Sequence, residues 1–491
     1  MSPLRIAYSF CLGMLLFASP ASARTWTDST GAYKIEADFV GFDGSIVQLK
    51  KADGSISRLP IARLSHRDQV WVRAEMKRQT MPTDKPAASA AEAMASTDWP
   101  GWRGPQRDGI SREQGLLKEW PSGGPPLLWS SRGLGNGFSS LAIAGDKIYT
   151  MGKKGGQVQL VCASRDDGRV IWETPVGDGS DPNCTPTLDV EADLVYGLSH
   201  AGDLLCASAS DGEVVWRKNF PNDFGGRMMS MWGYSESPLI DGDRLICTPG
   251  SDRAVMAALD KKTGDVIWQT PMQEGTAGYA SPVISHAGGI KQYVNLVGKG
   301  LIGIRAADGE PLWHYPRVAN TTANVPTPLV DGNFVFCSSG YGDGGSALLE
   351  LKKQGRTIRY REVYYKDNRT LQNHHGGMIL IDGKIYMGHG HNQGFPRCVD
   401  LRSGRTVWGE GQRGPGKGSA AIVAADGHLV FRYEDGVVAL IEANPGGYQL
   451  KGEFKPASVN GKAWAHPVIA GKRLYLRDQD ELHCYDIGAG S

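Results

Sequence analysis

Apolar and polar residues alternate along most of this chain in short runs, and a glycine corner comes before each run. The first corner is Gly145-Asp146, and the strand-like run Lys147-Ile148-Tyr149 follows it. Eight such corners recur at steps of 44 to 51 residues, beginning at positions 145, 192, 242, 288, 332, 383, 427 and 471, with Ala192 in place of the glycine in the second copy. Self-similarity with this period is typical of propellers and solenoids.

A second signature lies inside most units: a turn, a glycine, three residues and then a tryptophan. These tryptophans are Trp172, Trp216, Trp268, Trp313 and Trp408. Turn residues between alternating apolar runs indicate antiparallel hairpins. Each unit therefore holds about four short strands, the content of one propeller blade. A tryptophan that recurs once per blade is expected to wedge between blades and to have a structural role.

The eighth unit is incomplete, because the chain stops soon after Asp486 and no tryptophan strand follows. An unassigned tryptophan strand, residues 126–130, stands before the first unit. Pairing the two would close a ring and remove two exposed sheet edges. We therefore predict an all-β fold, an eight-bladed β-propeller over residues 127–491 that is closed by its own N-terminal strand.

The first 23 residues have the pattern of a secretory signal peptide. Arg5 supplies the positive charge, residues 10–17 the apolar core, and Ala21-Ser22-Ala23 the small-residue cleavage site. The apolar run is too short for a stable membrane anchor. We expect an exported, soluble protein of the periplasm or the extracellular space.

Residues 24–78 predict a separate small module. Alternating runs at 33–42, 46–50 and 56–59 are joined by Asp43-Gly44 and Asp53-Gly54 turns, as in a β-meander. A capping pattern at Ser65 to Asp68 predicts a short helix after it. Residues 79–97 have the composition of a flexible linker. The tryptophan-rich residues 98–126 are expected to pack along the outside of the ring.

Charge and cysteine content narrow the classes of function. The chain has 53 Lys+Arg and 52 Asp+Glu, so it lacks the basic excess of a nucleic-acid-binding protein. Seven cysteines follow the signal peptide, and an odd number leaves at least one thiol free. Cys162, Cys206 and Cys398 occupy one repeat position that elsewhere holds Ala258 or Gly303, which indicates small buried strand residues.

The repeat also predicts where a ligand would bind. The turn that leads into the first strand of each blade opens onto one face of the ring, so equivalent turns collect one set of side chains. These turns are rich in asparagine, histidine and aromatic residues, as concave recognition sites are. The predicted ligand-binding residues are Asn136, Phe138, Trp232, Tyr234, Tyr279, Asn324, His374, His375, Lys417, Trp464 and His466. The alternative is that these residues plug the channel and satisfy one another.

Two resemblances add to this picture. Residues 24–28 (RTWTD), 33–37 (YKIEA) and 59–60 (LP) resemble the Sla-type homology domain one, an SH3-like module, which implies binding of peptides or proteins. Residues 102–105 (WRGP), 324–328 (NVPTP), 339–342 (SGYG), 373–377 (NHHGG), 464–467 (WAHP) and 474–479 (LYLRDQ) resemble PQQ-binding-like repeat propellers of planctomycete-type bacteria. That superfamily includes quinoprotein dehydrogenases and the outer-membrane assembly lipoprotein of the Bam complex.

The quinoprotein resemblance implies a vicinal Cys-Cys disulfide over the quinone and carboxylates for Ca²⁺. The sequence contains neither an adjacent cysteine pair nor a Cys-x-x-Cys-His haem motif. Copper could in principle use His374-His375, His389 with His391, and the methionines around Trp232. Adjacent histidines on a strand point to opposite faces, however, so at most one of the pair should face inward.

These observations favour an exported, non-catalytic scaffold without catalytic or metal-ligating residues. It would bind protein or peptide partners in the cell envelope through the SH3-like module and the channel face. The alternative function is a PQQ- or metal-dependent oxidoreductase of the quinoprotein type.

Overall fold

The computed structural model describes residues 24–65, 68, 69, 71, 72 and 97–490. The chain divides into two compact units, residues 1–86 and 87–491. The proposed signal peptide, residues 1–23, and nearly all of the proposed linker lie outside the described residues. In the described residues, no helix combines the length and apolar character needed to cross a membrane.

The first unit contains one antiparallel sheet with strands in chain order. Its strands are β1 (Arg24–Thr27), β2 (Lys34–Phe42), β3 (Ile46–Lys51) and β4 (Ile56–Pro60), followed by a 3-10 helix at Ile61–Arg63. The predicted meander is therefore present, and β1 adds a strand that alternation did not predict. Trp26 on β1 is buried and donates to the carbonyl of Ala37 at 2.8 Å.

Asp68 joins the start of the following helical segment to β1. Its carboxylate accepts hydrogen bonds from the Thr27 amide at 2.7 Å and from Ser65 Oγ at 2.9 Å, and it pairs with Arg24 at 2.6 Å. The Asp68 amide donates to Ser65 Oγ at 3.2 Å, as the capping pattern predicts.

In the second unit, the described residues form eight sheets. Strands β5 (Ile110–Ser111) and β6 (Leu127–Arg132) come before the repeats. Sheet 1 contains β7 (Ala142–Ala144), β8 (Lys147–Lys154), β9 (Gln157–Ser164) and β10 (Val170–Asp178); sheet 2 contains β11 (Thr187–Asp189), β12 (Leu194–Leu198), β13 (Asp203–Ser208) and β14 (Val214–Asn219). A short helix, α1 (Phe220–Phe224), follows sheet 2.

Sheet 3 contains β15 (Leu239–Asp241), β16 (Arg244–Cys247), β17 (Met256–Asp260) and β18 (Val266–Thr270). Sheet 4 contains β19 (Val283–Ser285), β20 (Gln292–Val297), β21 (Gly300–Arg305) and β22 (Pro311–Tyr315), with a 3-10 turn at Ala287–Gly289. Sheet 5 contains β23 (Leu329–Asp331), β24 (Phe334–Ser338), β25 (Gly345–Gln354) and β26 (Thr357–Asp367). Sheet 6 contains β27 (Asn373–Ile381), β28 (Lys384–His389), β29 (Phe395–Asp400) and β30 (Thr406–Trp408).

Sheet 7 contains β31 (Ala420–Ala425), β32 (His428–Tyr433), β33 (Val438–Glu442) and β34 (Leu450–Phe454), and β5 pairs in parallel with β31. Sheet 8 contains β35 (Val468–Ala470), β36 (Arg473–Asp478) and β37 (Glu481–Asp486). The first strands of several neighbouring sheets contact one another, β7 with β11 and β31 with β35 among them. These strands therefore surround one axis in an all-β, propeller-like fold.

The last sheet is completed by a strand from the start of the unit. Strand β6 pairs antiparallel with β37, with Trp129 opposite Cys484 and Ser131 opposite Leu482. This is the pairing that the missing eighth tryptophan strand predicts. It leaves neither β6 nor the outer edge of β37 unpaired.

The recurring tryptophans pack against the recurring glycines of the next sheet. A Cβ placed on Gly264 would lie 2.8 Å from the ring of Trp216, and one placed on Gly309 would lie 2.6 Å from the ring of Trp268. A Cβ placed on Gly168 would likewise lie 2.6 Å from the ring of Trp129. The tryptophan of one sheet thus rests on the bare backbone of its neighbour, which explains why both residues repeat together.

Replacing Gly264 with alanine is expected to lower the free energy of unfolding by about 2–4 kcal/mol, because the new methyl group overlaps Trp216 and the backbone has φ of 73°. Chemical denaturation measures this change. Gly242→Ala is the matched control: its φ is 60°, and nothing lies within 4 Å of the added Cβ. Equal losses in the two variants would show that the tryptophan contact contributes little.

The sequence analysis expected residues 98–111 to pack along the outside of the ring. In the structure these residues pack against the first strands instead. The Trp99 amide donates to the Ile143 carbonyl at 2.8 Å, and the Pro100 carbonyl accepts from the Leu188 amide at 2.8 Å. We call residues 98–111 the axial segment. Its tryptophans and arginines contact the first strands of several different sheets. This insertion among the first strands explains why its sequence lacks the alternation of a strand.

The axial segment begins and ends at the face that carries the glycine corners. Asp98 accepts a hydrogen bond from the Gly145 amide at 3.0 Å, and Glu113, just after the segment, accepts from the Gly471 amide at 2.7 Å. Farther along, Trp120 lies against Phe454 of the outer strand β34, with ring centroids 5.4 Å apart. Only this later part of the predicted wrapping segment therefore lies at an outer strand.

All seven described cysteines are buried and free. Burial raises the pKa of Cys162 and of Cys484 to about 12 and that of Cys398 to about 11, so these thiols stay protonated at neutral pH. Their role as small strand residues agrees with the sequence analysis.

Candidate functional site

A cavity of about 560 Å³ lies at the axis, between the axial segment and the turns that lead into the first strands. Trp102 and Arg103, at the tip of the axial segment, contribute to its lining. The rest of the lining comes from the turns before β7, β11, β15, β19, β23 and β35 and from the start of β27, together with Lys153, His200 and Tyr341. One recess therefore collects side chains from seven of the eight sheets that the described residues of the second unit form.

Seven of the eleven predicted ligand-binding residues line this cavity: Phe138, Trp232, Tyr279, His374, His375, Trp464 and His466. The structure also brings in residues that the repeat did not point to, of which Trp102, Arg103, Lys153, Asp181, His200 and Tyr341 carry rings or charges. A turn-by-turn comparison cannot find Trp102 and Arg103, because they lie outside the repeats. The signals for them are the tryptophan-rich composition of residues 98–105 and the WRGP motif at residues 102–105.

Four predicted residues lie elsewhere. Asn324 is buried and donates from Nδ2 to the carbonyl of Val297 at 3.0 Å, so it holds a turn together. Tyr234 packs on Phe220 and donates to the Pro249 carbonyl at 2.9 Å. Lys417 is exposed outside the cavity, and Asn136 lines a separate polar pocket of about 270 Å³.

His374 and His375 both face the cavity, which corrects the expectation that only one could do so. The ladder between β27 and β28 is interrupted between Asn373 and Met378, and Gly377 has φ of 77°. This irregularity breaks the alternation of the strand, so the two imidazoles lie on the same side with ring centroids 4.3 Å apart.

The imidazoles around the cavity are neutral at pH 7. Burial, reinforced by the neighbouring His375 and His391 imidazoles, lowers the pKa of His374 to about 2. Burial and the nearby His466 lower the pKa of His375 to about 3. Burial and the Arg103 guanidinium lower the pKa of His466 to about 3. Neutral imidazoles offer one donor and one acceptor each.

Several polar atoms at the cavity have no hydrogen-bond partner among the described residues. Nε2 of His374, Nε2 of His375 and Nη1 of Arg103 are all buried in this state. His374 is oriented through its other nitrogen, because Nδ1 lies 2.6 Å from Ser419 Oγ. Buried polar groups in folded proteins are nearly always paired. Three buried polar atoms without a partner among the described residues therefore meet at one recess.

Aromatic rings form much of the remaining wall. Trp464 contacts Phe138, with ring centroids 4.8 Å apart, and its Nε1 donates to Glu434 at 2.9 Å, which fixes the ring. Trp102 lies 4.6 Å from His466, centroid to centroid. At the rim, Met231 is 80% exposed and Trp232 is 50% exposed, so both are accessible to an entering ligand.

The donor set does not resemble a metal centre or a quinone site. In the part of the chain that the structure describes, no three or more His, Cys, Asp or Glu side chains are grouped so as to hold a metal ion. Asp181 is the single carboxylate among the described lining residues, and no cysteine is among them. The residues at the axis therefore do not fit a quinone held with Ca²⁺ under a vicinal disulfide.

Comparison with protein families matches both units. Residues 16–80 match the SLA1 homology domain 1, and residues 183–410 match the family described as outer membrane protein assembly factor BamB, a PQQ-repeat family. The protein combines an SLA1 homology domain 1 with a PQQ-repeat propeller domain. The family resemblances drawn from the sequence are thereby confirmed.

The curated relatives correspond to the first unit alone. The chain is 36% identical over 73 residues to the actin cytoskeleton-regulatory complex protein SLA1 of Mycosarcoma maydis, and 37% identical over 67 residues to sla1 of Schizosaccharomyces pombe. These matches cover 15% and 12% of this chain but only 6% and 5% of the relatives.

Solved structures resemble the second unit in fold. BamB from Moraxella catarrhalis superposes with a TM-score of 0.54 at 16% identity, covering 74% of this chain and 98% of that one. A europium-containing methanol dehydrogenase gives 0.57 at 11% identity, with 79% and 90% coverage. The quinohemoprotein alcohol dehydrogenase from Comamonas testosteroni gives 0.54 at 12%, with 86% and 85%. At these identities the likeness shows the propeller-like fold alone.

Proposed function

We propose that this protein is an exported, non-catalytic binding scaffold in which the SLA1 homology domain 1 binds peptides or proteins and the propeller binds a ligand at its axis. The observation that carries the proposal is the axial cavity, with aromatic walls and three buried polar atoms lacking protein partners. Concave sites that combine apolar walls with a few fixed polar groups are the usual form of ligand sites.

The architecture that we propose is an SH3-like barrel followed by a flexible linker and an eight-bladed propeller. The eight sheets and the β6–β37 pairing support eight blades closed by the N-terminal strand. The four-stranded sheet around Trp26 supports a small barrel. The signal-like N-terminus and the BamB-like fold support export to the cell envelope, with protein partners there.

Native mass spectrometry of the full chain, after incubation with a small-molecule extract of the parent cells, tests the axial site. We expect one added mass per chain, and Trp232→Ala should weaken its binding at least tenfold because this ring is half exposed at the rim. Lys417→Ala is the matched control, since Lys417 lies outside the cavity. No added mass, or equal loss in both variants, would contradict a ligand site here.

The oxidoreductase alternative has its own test. Titration of the full chain with PQQ and Ca²⁺, or with Cu²⁺, is expected to give no dye reduction with an alcohol or a sugar, because the donor set does not fit either cofactor. Stoichiometric binding coupled to dye reduction would replace the scaffold with an enzyme. In a separate experiment, capture of partners by each unit expressed on its own would identify the binding partners of that unit.

A further inference from the structure

The guanidinium group of Arg103 is held rigidly by backbone carbonyls. Nη2 donates to the Asp108 carbonyl at 2.8 Å and to the Met378 carbonyl, and Nε donates to the Arg107 carbonyl at 3.4 Å. Arg103 is only 4% exposed. Its position therefore does not depend on a bound ligand, and the remaining nitrogen, Nη1, points in one defined direction.

Nη1 lies at the cavity, between Gly377 and His466. A Cβ placed on Gly377 would be 2.5 Å from this nitrogen and 3.2 Å from Cε1 of His466. Only a glycine at position 377 leaves room for the guanidinium beside the cavity. Nη1 is buried and has no hydrogen-bond partner among the described residues.

The charge of Arg103 is not neutralised by an ion pair in the described chain. The charge of Asp108 acts on Arg103 through space and raises its pKa against the effect of burial, but the direct ion pair of Asp108 is with Arg112 at 2.5 Å. Burial lowers the pKa of Arg103 to about 10, so the group still carries its charge at pH 7. A buried cation without a counter-ion is costly for the folded state.

Another fully buried arginine shows what a purely structural role looks like. Arg477 donates from Nη1 to the Ser139 carbonyl at 3.1 Å and to Thr150 Oγ1 at 2.6 Å, and from Nη2 to the Gly135 carbonyl at 2.8 Å. Its terminal nitrogens are all satisfied, and it does not line the cavity. Arg103 differs in both respects.

We propose that the ligand of this cavity carries a carboxylate or phosphate group that binds Nη1 of Arg103, on a ring system that lies against the aromatic wall. This inference rests on the proposed binding function of the same cavity. An anion would supply both the missing hydrogen-bond acceptor and the missing counter-charge. The unpaired Nε2 atoms of His374 and His375 would bind polar substituents on the same ring system, and Trp102 and Trp464 would contact its faces.

Isothermal titration of the full chain with three matched probes at pH 7 tests the charge requirement. The probes are 2-naphthoate, 2-naphthyl phosphate and the neutral 2-naphthamide. We expect at least one of the two anions to bind tenfold or more tightly than the amide. Whichever anion binds more tightly assigns the group as a carboxylate or a phosphate.

Two variants locate the anion. Arg103→Gln should abolish the advantage of the anion over the amide, whereas Arg169→Gln, which removes one positive charge at an exposed turn, should keep it. If the amide binds as tightly as both anions, or if the advantage survives in Arg103→Gln, the anion assignment is wrong although the cavity still binds. Because the comparison of probes uses the unmodified protein, it decides the charge requirement even if Arg103→Gln does not fold.

Binding of none of the probes at millimolar concentration would also overturn the anion assignment. The proposed function would then be judged by the mass-spectrometric experiment, which does not depend on the chemistry of these probes. The two failures are therefore distinguishable.

Discussion

Deletion of residues 126–131 is expected to lower the free energy of unfolding of the propeller by roughly 5 kcal/mol or more. The deletion removes most of β6, and with it the hydrogen-bonded pairing to β37 and the wedge of Trp129 against Gly168. Replacing a fully buried tryptophan costs about 3–5 kcal/mol, and the partly buried Trp129 contributes a share of that amount. Leu127 and Leu128 are about half exposed, so pairing and the tryptophan account for most of the effect. Thermal and chemical denaturation measure the loss.

Hydrogen exchange shows whether the lost stability comes from opening of the ring at the β6–β37 pairing. In the deletion variant, amides of β36, β37 and sheet 1 should lose protection first, because both sides of the seam become free edges. Sheet 4, on the other side of the ring in chain order, should keep its protection until global unfolding. Trp408→Ala is the control, since Trp408 holds the same repeat position within sheet 6. If the deletion changes neither stability nor protection at the seam, closure by β6 is incorrect.

Acidification from pH 6.5 to pH 4.5 is expected to destabilise the ligand-free propeller by several kcal/mol, at up to roughly 1.4 kcal/mol per pH unit for each histidine that is held neutral in the folded protein. His374, His375 and His466 have depressed pKa values of about 2 to 3 in the folded protein. Below pH 6.5 the unfolded chain binds protons that the folded chain cannot, so stability falls as pH falls. The loss of stability continues until the pH reaches the pKa values that these histidines have in the folded protein.

Most charged groups around these histidines act in the same direction as burial, because they lower the pKa values of the imidazoles. Lys462 lowers the pKa of His374 and of His375, and Arg103 lowers that of His466, while Glu434 acts in the opposite sense on His374. Glu236 opposes the overall trend, because burial raises its pKa to about 7 and its protonation stabilises the folded state on acidification. One carboxyl group offsets only part of the effect of three imidazoles.

Chemical denaturation at several pH values measures the slope, and His375→Gln should reduce it by up to about 1.4 kcal/mol per pH unit. The matched control is His286→Gln, because His286 is exposed and lies outside the cavity. A slope that is the same in the wild type and in His375→Gln would show that His375 is not held neutral.

The repeat allowed much of the fold to be predicted. The spacing of the glycine corners and of Trp172, Trp216 and their equivalents corresponds to the sheets, and the absent last tryptophan correctly identified β6 as the partner of β37. The axial segment was misplaced for a physical reason. Its residues donate hydrogen bonds to backbone carbonyls and pack against rings on several different sheets. Such long-range contacts leave no local periodicity in the sequence.

The site was predictable in outline only. Equivalent turns meet at the axis, and the repeat register is enough to show this. Whether a given side chain then faces the cavity depends on local geometry, such as the irregularity at Gly377 that turns His374 and His375 to one side. Asn324 lies outside the cavity because its side-chain amide donates to the Val297 carbonyl, and Lys417 lies outside it because its side chain is exposed.

The axial segment has a consequence for how selectively the ring can bind. Similar sheets repeated around one axis approach rotational symmetry, and a symmetric recess would present nearly the same groups to a molecule in several rotations. The axial segment begins and ends at one face, and its Trp102 and Arg103 lie outside the repeats, so they have no counterparts by rotation. A ligand anchored at Arg103 is therefore restricted to one orientation. In the proposed binding site, asymmetric recognition would come from the segment that does not belong to the repeat.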